Sequence, residues 1–157
     1  MLKKKTATNN TIANNQAYEK AGGVTFSGDA LLVYNNIIWG NSAPIGGDIL
    51  LFCTGLVAGY HNDYSDILGD WSSYGSNIDQ DPRFIDSGNY HLQQSSPCRN
   101  AGTDSAPDLP TIDYDGQHRI LGSAPDIGAD EIFYFPKDLK IEQPLQLKLL
   151  LKRVFID

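Results

Sequence analysis

Along the first half of the chain, short apolar runs alternate with amide-rich corners. VTF (24–26), ALLVY (30–34), IIW (37–39), DILLF (48–52) and GLVAGY (55–60) are too short for helices and read as strands. NNTIANN at 9–15 returns as NNIIWGN at 35–41 and, in degenerate form, as HNDYSDI at 61–67, a period of 26 residues. Glycine pairs at Gly22-Gly23 and Gly46-Gly47 precede apolar runs. Each period therefore predicts a glycine-rich turn, two short strands, a polar corner and a further strand. Repeats of this length signal a modular architecture rather than one closed globule. The period is too strand-rich for helical repeats and lacks the leucine pattern of horseshoe repeats. Stacked coils of a parallel β-helix fit it, with about three coils over residues 1–68.

Stacking makes a specific demand. Successive coils lie ~4.8 Å apart, so equivalent side chains sit one above the next. Asn10, Asn36 and Asn62 then form an amide ladder, as in stacked cross-β structures, with Ile12, Ile38 and Tyr64 as an apolar column beside it. The amides mark a corner, where bent backbone leaves polar groups to satisfy.

The 26-residue rhythm stops after Asp66, and GDWSSYGSNI (69–78) reads as an irregular loop. Beyond it Asp81-Pro82, Ser96-Pro97 and Asp115-Gly116 are turn signals. The expected role of 69–132 is a cap of the same domain, since the open end of a stack would otherwise recruit other chains. Arg119 is placed to hold Asp113 or Glu131 in a two-pronged ion pair, which makes Asp113, Asp115, Arg119 and Glu131 structural candidates.

The same segment carries ordered motifs: NIDQDPRF, then GNYHLQQSSPCRNAG, then DYDGQHR and DIGADE. This set resembles the C-terminal region of bacterial parallel β-helix proteins of the choice-of-anchor Q type. The resemblance implies an all-β, right-handed, pectate-lyase-like β-helix of an exported surface protein. Residue by residue, it implies that Ile78, Pro82 and Phe84 leave the last coil and that Tyr90, His91 and Leu92 form a short strand. Ser96 to Gly102 then make the following turn, Asp113, Asp115, Gly116 and Arg119 the next loop, and Asp126 to Glu131 the closing strand. The motifs themselves imply no activity.

At 157 residues the chain suits one domain, and no apolar run approaches the ~20 residues of a membrane span. The formal net charge is −7, and between residues 6 and 132 only Lys20, Arg83, Arg99 and Arg119 oppose 16 acidic groups. Such a body repels phosphate backbones, which argues against nucleic-acid binding. MLKKKTATNN has a basic start but no apolar segment behind it, so the export signal is expected upstream, together with further coils. Residues 133–157 depart from the pattern, reading either as strand or as a short amphipathic helix. Cys53 and Cys98 suit either a disulfide or burial as small apolar groups.

Chemistry is sparse. Asp113, Asp115, Asp126 and Asp130 are the best calcium ligands, with Asp79 and Asp81 as a separate choice, though no EF-hand loop surrounds them. Trp71 and Tyr74 are the candidate rings for sugar stacking, lying in a polar segment. Asp29, Asp48, Asp63 and Asp66 are the carboxylates from which a glycosidase pair would have to come. His61, His91 and His118 lack any nucleophile motif and read as structural. The expected function is a non-catalytic, cell-surface scaffold in contact with extracellular polysaccharide. The alternative is a piece of a polysaccharide lyase or glycoside hydrolase.

Overall fold

A computed structural model describes residues 4–133, the side chain of Asp29 excepted. The tail from 134 onward, read above as strand or helix, lies outside them. The described chain is all β, and no helix in it is long and apolar enough to cross a membrane. The strands are β1 (Lys5–Thr8), β2 (Thr11–Ala13), β3 (Val24–Tyr34), β4 (Ile37–Trp39), β5 (Ile49–Tyr60), β6 (Asp63–Tyr64), β7 (Ile67–Leu68), β8 (Ser73–Gly75), β9 (Phe84–Asp86) and β10 (Asn89–Leu92).

Each repeat contributes a strand to each of two parallel sheets. One has the order β1-β3-β5-β7, with β8 also on β5, and the other is β2-β4-β6. In the smaller sheet Ile12 pairs with Ile38 and Ile38 with Tyr64, so the apolar column is in register. Between β3 and β5 the pairing shifts by one residue after Gly28 and Cys53, where Asp29 stands opposite Thr54 and Gly55. That bulge absorbs the difference between a 25-residue step (Val24 to Ile49) and a 26-residue step (Ala30 to Leu56).

Asn10, Asn36 and Asn62 stand in one line. The Oδ1 of Asn36 accepts both the backbone N–H and the side-chain amide of Asn10, at 2.9 Å each. Asn62 Oδ1 does the same for Asn36, at 3.0 and 2.9 Å. The line continues to Asn77, whose Oδ1 accepts the Asn62 backbone and side-chain amides at 2.9 and 3.1 Å. Residues 69–78 are thus not wholly irregular. Tyr60 pairs with Gly75, Asp63 bridges to Ile78, and the last rung is reached after 15 residues instead of 26.

A second line runs from Asn15 to Asn41 and ends on Asp48, which accepts the Asn41 backbone N–H at 2.9 Å and its side chain at 3.0 Å. The corner itself is a column of left-handed residues, Asn9, Asn35, His61 and Ser76, with φ of 52°, 56°, 53° and 53°. Asn tolerates this region better than other residues with a Cβ, which is why amides gather there.

The interior is filled by Leu31, Val33, Ile38, Ile49, Leu51 and Val57. Trp71, expected as an exposed ring, is half-buried against this core and donates its indole N–H to Tyr64 Oη at 3.0 Å. A Cβ on Gly59 would come within 2.7 Å of the Trp71 ring, so only glycine lets the indole lie there. Tyr74 is 69 % exposed.

The segment after Ile78 runs along the flank of the stack, back towards its first rung. Its contacts follow the left-handed column in turn. His61 Nδ1 meets Ala101 O at 2.9 Å, and Asn35 donates to Thr103 O at 2.9 Å. Asn9 donates to Asp126 O and Gly128 O at 3.0 Å each, and Thr8 donates to Pro107 O at 2.7 Å. The corner amides therefore bond in two directions, up the stack and out to this strap. A second apolar cluster seals the join, with Ile37 of β4 against Leu92, Cys98, Ile127 and Ile132.

Both cysteines are free, Cys98 buried and Cys53 partly so. Cys98 donates its thiol to Asp63 Oδ2 at 3.1 Å, and burial followed by the Asp63 charge pushes its ionisation far up. A thiol reagent on the native protein is expected to label Cys53 slowly and Cys98 only in denaturant. Fast release of two equivalents without denaturant would contradict this placement.

Candidate functional site

The strap creates the site. Strands β9 and β10 form an antiparallel hairpin through Ser87 and Gly88, and β10 presents Tyr90 and His91 beside the loop 113–118. The loop is shaped by Asp113, whose Oδ1 accepts the backbone N–H groups of Asp115 and Gln117 at 3.0 and 2.7 Å. Gly116 follows at φ 82°, the left-handed position that the Asp-Gly pair supplies. The closing segment 126–131 brings Ala129 and Asp130 to the same place. Thr11 on β2 ties it to the stack, its Oγ1 accepting the Ala129 N–H at 3.0 Å.

Between these elements lies a cavity of about 410 Å³ lined by Thr11, Asn89, Tyr90, His91, Tyr114 and Asp130, among others. Tyr90 and Tyr114 are 39 % and 78 % exposed, and the His91 and Tyr114 rings meet edge to face with centroids 6.2 Å apart. His91 Nε2 lies 2.9 Å from Asp115 Oδ2. One ligating atom from each of His91, Asp115 and Asp130 lies within 4.8 Å of the others.

The four expected calcium ligands are not gathered. Asp130 lines the cavity and Asp115 stands against His91 at its edge, whereas Asp113 and Asp126 are occupied by the backbone. Asp113 Oδ2 accepts Glu131 N–H at 3.2 Å in addition to the loop bonds. Asp126 accepts Asn100 N–H at 2.6 Å and Ile132 N–H at 2.8 Å. Asp81 likewise accepts Arg83 N–H at 2.8 Å. His91, read from sequence as structural, is the residue that joins Asp115 and Asp130. Its signal in the sequence is its place in the GNYHL motif, with Asn89 two positions back on the same strand.

Arg119 does not make a two-pronged pair. It is buried and donates to Gly128 O at 3.1 Å and Ala129 O at 2.8 Å, with a single longer contact to Glu131 Oε1 at 3.5 Å. Burial, then the charge of Asp126, raises the Glu131 carboxyl to about 8, more than the Asp126 N–H and Arg119 lower it. That direction fits the geometry, because most of the guanidinium faces carbonyls. Burial also raises Asp63 to about 6, against the Cys98 thiol and the Gln80 N–H. Asp126 and Asp130 are raised as well, again by burial first.

The carboxylates expected for hydrolysis do not form an open pair. Asp48 and Asp63 are wholly buried, and Asp66 Oδ2 accepts Gly47 N–H at 2.6 Å. The Asp29 side chain lies outside the described residues. Comparison with known proteins returned no matching family model, no matching curated protein and no matching solved structure.

Proposed function

We propose that the chain is part of a right-handed parallel β-helix of the choice-of-anchor Q type, exported to the cell surface, where it is a non-catalytic scaffold contacting polysaccharide. Support for the β-helix comes from two parallel sheets fed by one 26-residue period, with amide ladders along the stacking direction. The observation that carries the binding role is the cavity beside Tyr90 and Tyr114. Exposed rings offer apolar faces to a sugar, while Asn89, Thr11 and Asp130 offer polar groups to its hydroxyls. This moves the contact away from Trp71, which serves the core, and from Tyr74, which stands on β8 without a ring partner among the described residues.

A panel of neutral and acidic polysaccharides, screened by affinity electrophoresis, tests the reading. At least one member is expected to retard the protein, and Tyr114→Ala is expected to weaken that binding about tenfold while Tyr74→Ala leaves it unchanged. Retardation by no member of the panel, or equal retardation of the Tyr114→Ala variant, sinks the proposal.

A further inference from the structure

The hydrogen-bond geometry around His91 leaves a gap that needs a positive charge. Asn89 Oδ1 accepts the His91 backbone N–H at 3.0 Å, which fixes the orientation of the amide. The same oxygen is the partner of His91 Nδ1, so that nitrogen carries the hydrogen. The other ring nitrogen, Nε2, then faces Asp115 Oδ2 at 2.9 Å. A lone pair and a carboxylate at that distance repel unless a proton or a metal ion lies between them.

Asp130 decides between the two. It is 7 % exposed, lines the cavity, and uses Oδ2 to accept Leu92 N–H at 2.9 Å. Its Oδ1 accepts no hydrogen bond among the described residues. One proton on His91 balances Asp115 and leaves Asp130 either without a counter-charge or holding a proton of its own. A divalent ion balances both.

We propose that His91 Nε2, Asp115 and Asp130 form a three-ligand site for a divalent first-row transition-metal ion such as Zn2+. The donor set of one imidazole and two carboxylates suits these ions, whereas Ca2+ calls for six to eight oxygens. Two ligands of a tetrahedral ion with ~2.1 Å bonds lie ~3.4 Å apart, so His91 Nε2 and Asp115 Oδ2, 2.9 Å apart without the ion, separate by about half an ångström when it enters. Asn89 is the outer partner that orients the imidazole, a common feature of metal-binding histidines. Three protein ligands leave coordination positions open to the cavity. The site does not depend on carbohydrate binding.

Calorimetric titration of the chelator-treated, tag-free full chain with Zn2+ alone is the test. One equivalent is expected to bind, and His91→Ala and Asp115→Asn are each expected to weaken binding at least tenfold. His118→Ala, at an exposed histidine three residues from Asp115 on the same loop but outside the cluster, serves as the control and is expected to bind as the parent does. Asp130→Asn keeps an amide oxygen for Leu92 N–H and is expected to lose binding while keeping its urea midpoint. Absence of Zn2+ binding, substoichiometric binding, or equal binding by the parent and His91→Ala overturns the proposal and leaves a proton between His91 and Asp115.

Discussion

Asn62→Ala is expected to destabilise the fold by about 4 kcal/mol, whereas Asn10→Ala costs about 1 kcal/mol or less. Both residues belong to one ladder, so the difference isolates position within it. Asn62 is fully buried. Its Oδ1 accepts two donors from Asn36, and its Nδ2 donates to Val33 O, Tyr60 O and Asn77 Oδ1. Truncation leaves Asn36 N–H without its acceptor in a site closed to water, and it also withdraws a donor from Val33 O. Each buried orphan costs roughly 1–3 kcal/mol. Asn10 lies at the exposed end, and water replaces what its side chain gives up. A small domain has about 5–15 kcal/mol in total, so the Asn62 variant should lose much of its stability. Urea unfolding followed by tryptophan fluorescence measures both. Equal midpoints for the two variants would falsify the view that the ladder holds successive rungs together.

The ladder was legible in sequence because stacking forces like residues into like phase. Asn10, Asn36 and Asn62 repeat at one interval, and the sheets that flank them follow. Where the interval changes, the signal disappears. Asn77 completes the same line after only 15 residues, since the last turn bypasses the long excursion made by earlier ones. Asp48 ends the second line although it follows Asn41 by seven residues, which no period predicts. Trp71 misled for another reason. Its polar neighbours suggested solvent, but the missing side chain of Gly59 made room for the ring. The cavity was least legible. His91, Asp115 and Asp130 come from three segments of the strap, and contacts far apart in sequence, among them those of the corner column Asn9, Asn35 and His61, set how that strap lies. The acidic motifs drew attention to Asp113 and Asp126, whose carboxylates shape backbone turns instead.

The fold is expected to become more stable as the pH falls from 8 to about 5.5, by about 3 kcal/mol. Glu131 titrates at about 8 in the folded chain against 4.5 ordinarily, chiefly because it is buried. Asp63 titrates at about 6 against 3.8 for the same reason. An acid whose folded pKa lies above its unfolded one keeps a proton that the unfolded chain has released. Unfolding therefore releases protons between pH 4.5 and 8 for Glu131, and between 3.8 and 6 for Asp63. The native state loses ground as the pH rises through those windows, and the full penalty is present above pH 8. Repulsion among exposed carboxylates acts in the same direction, but salt screens it and leaves the buried groups largely untouched. In about 0.5 M salt, where the Debye length is ~4 Å and surface fields are screened, the dependence is expected to persist. Glu131→Gln should flatten the profile between pH 6 and 8 and Asp63→Asn between pH 4 and 6, because each removes one of these two protons. Urea midpoints measured at half-unit pH steps decide the matter: stability that is flat or rising from pH 5.5 to 8 in the parent chain would show that Glu131 is ionised throughout and that Arg119, despite its single long contact, neutralises it.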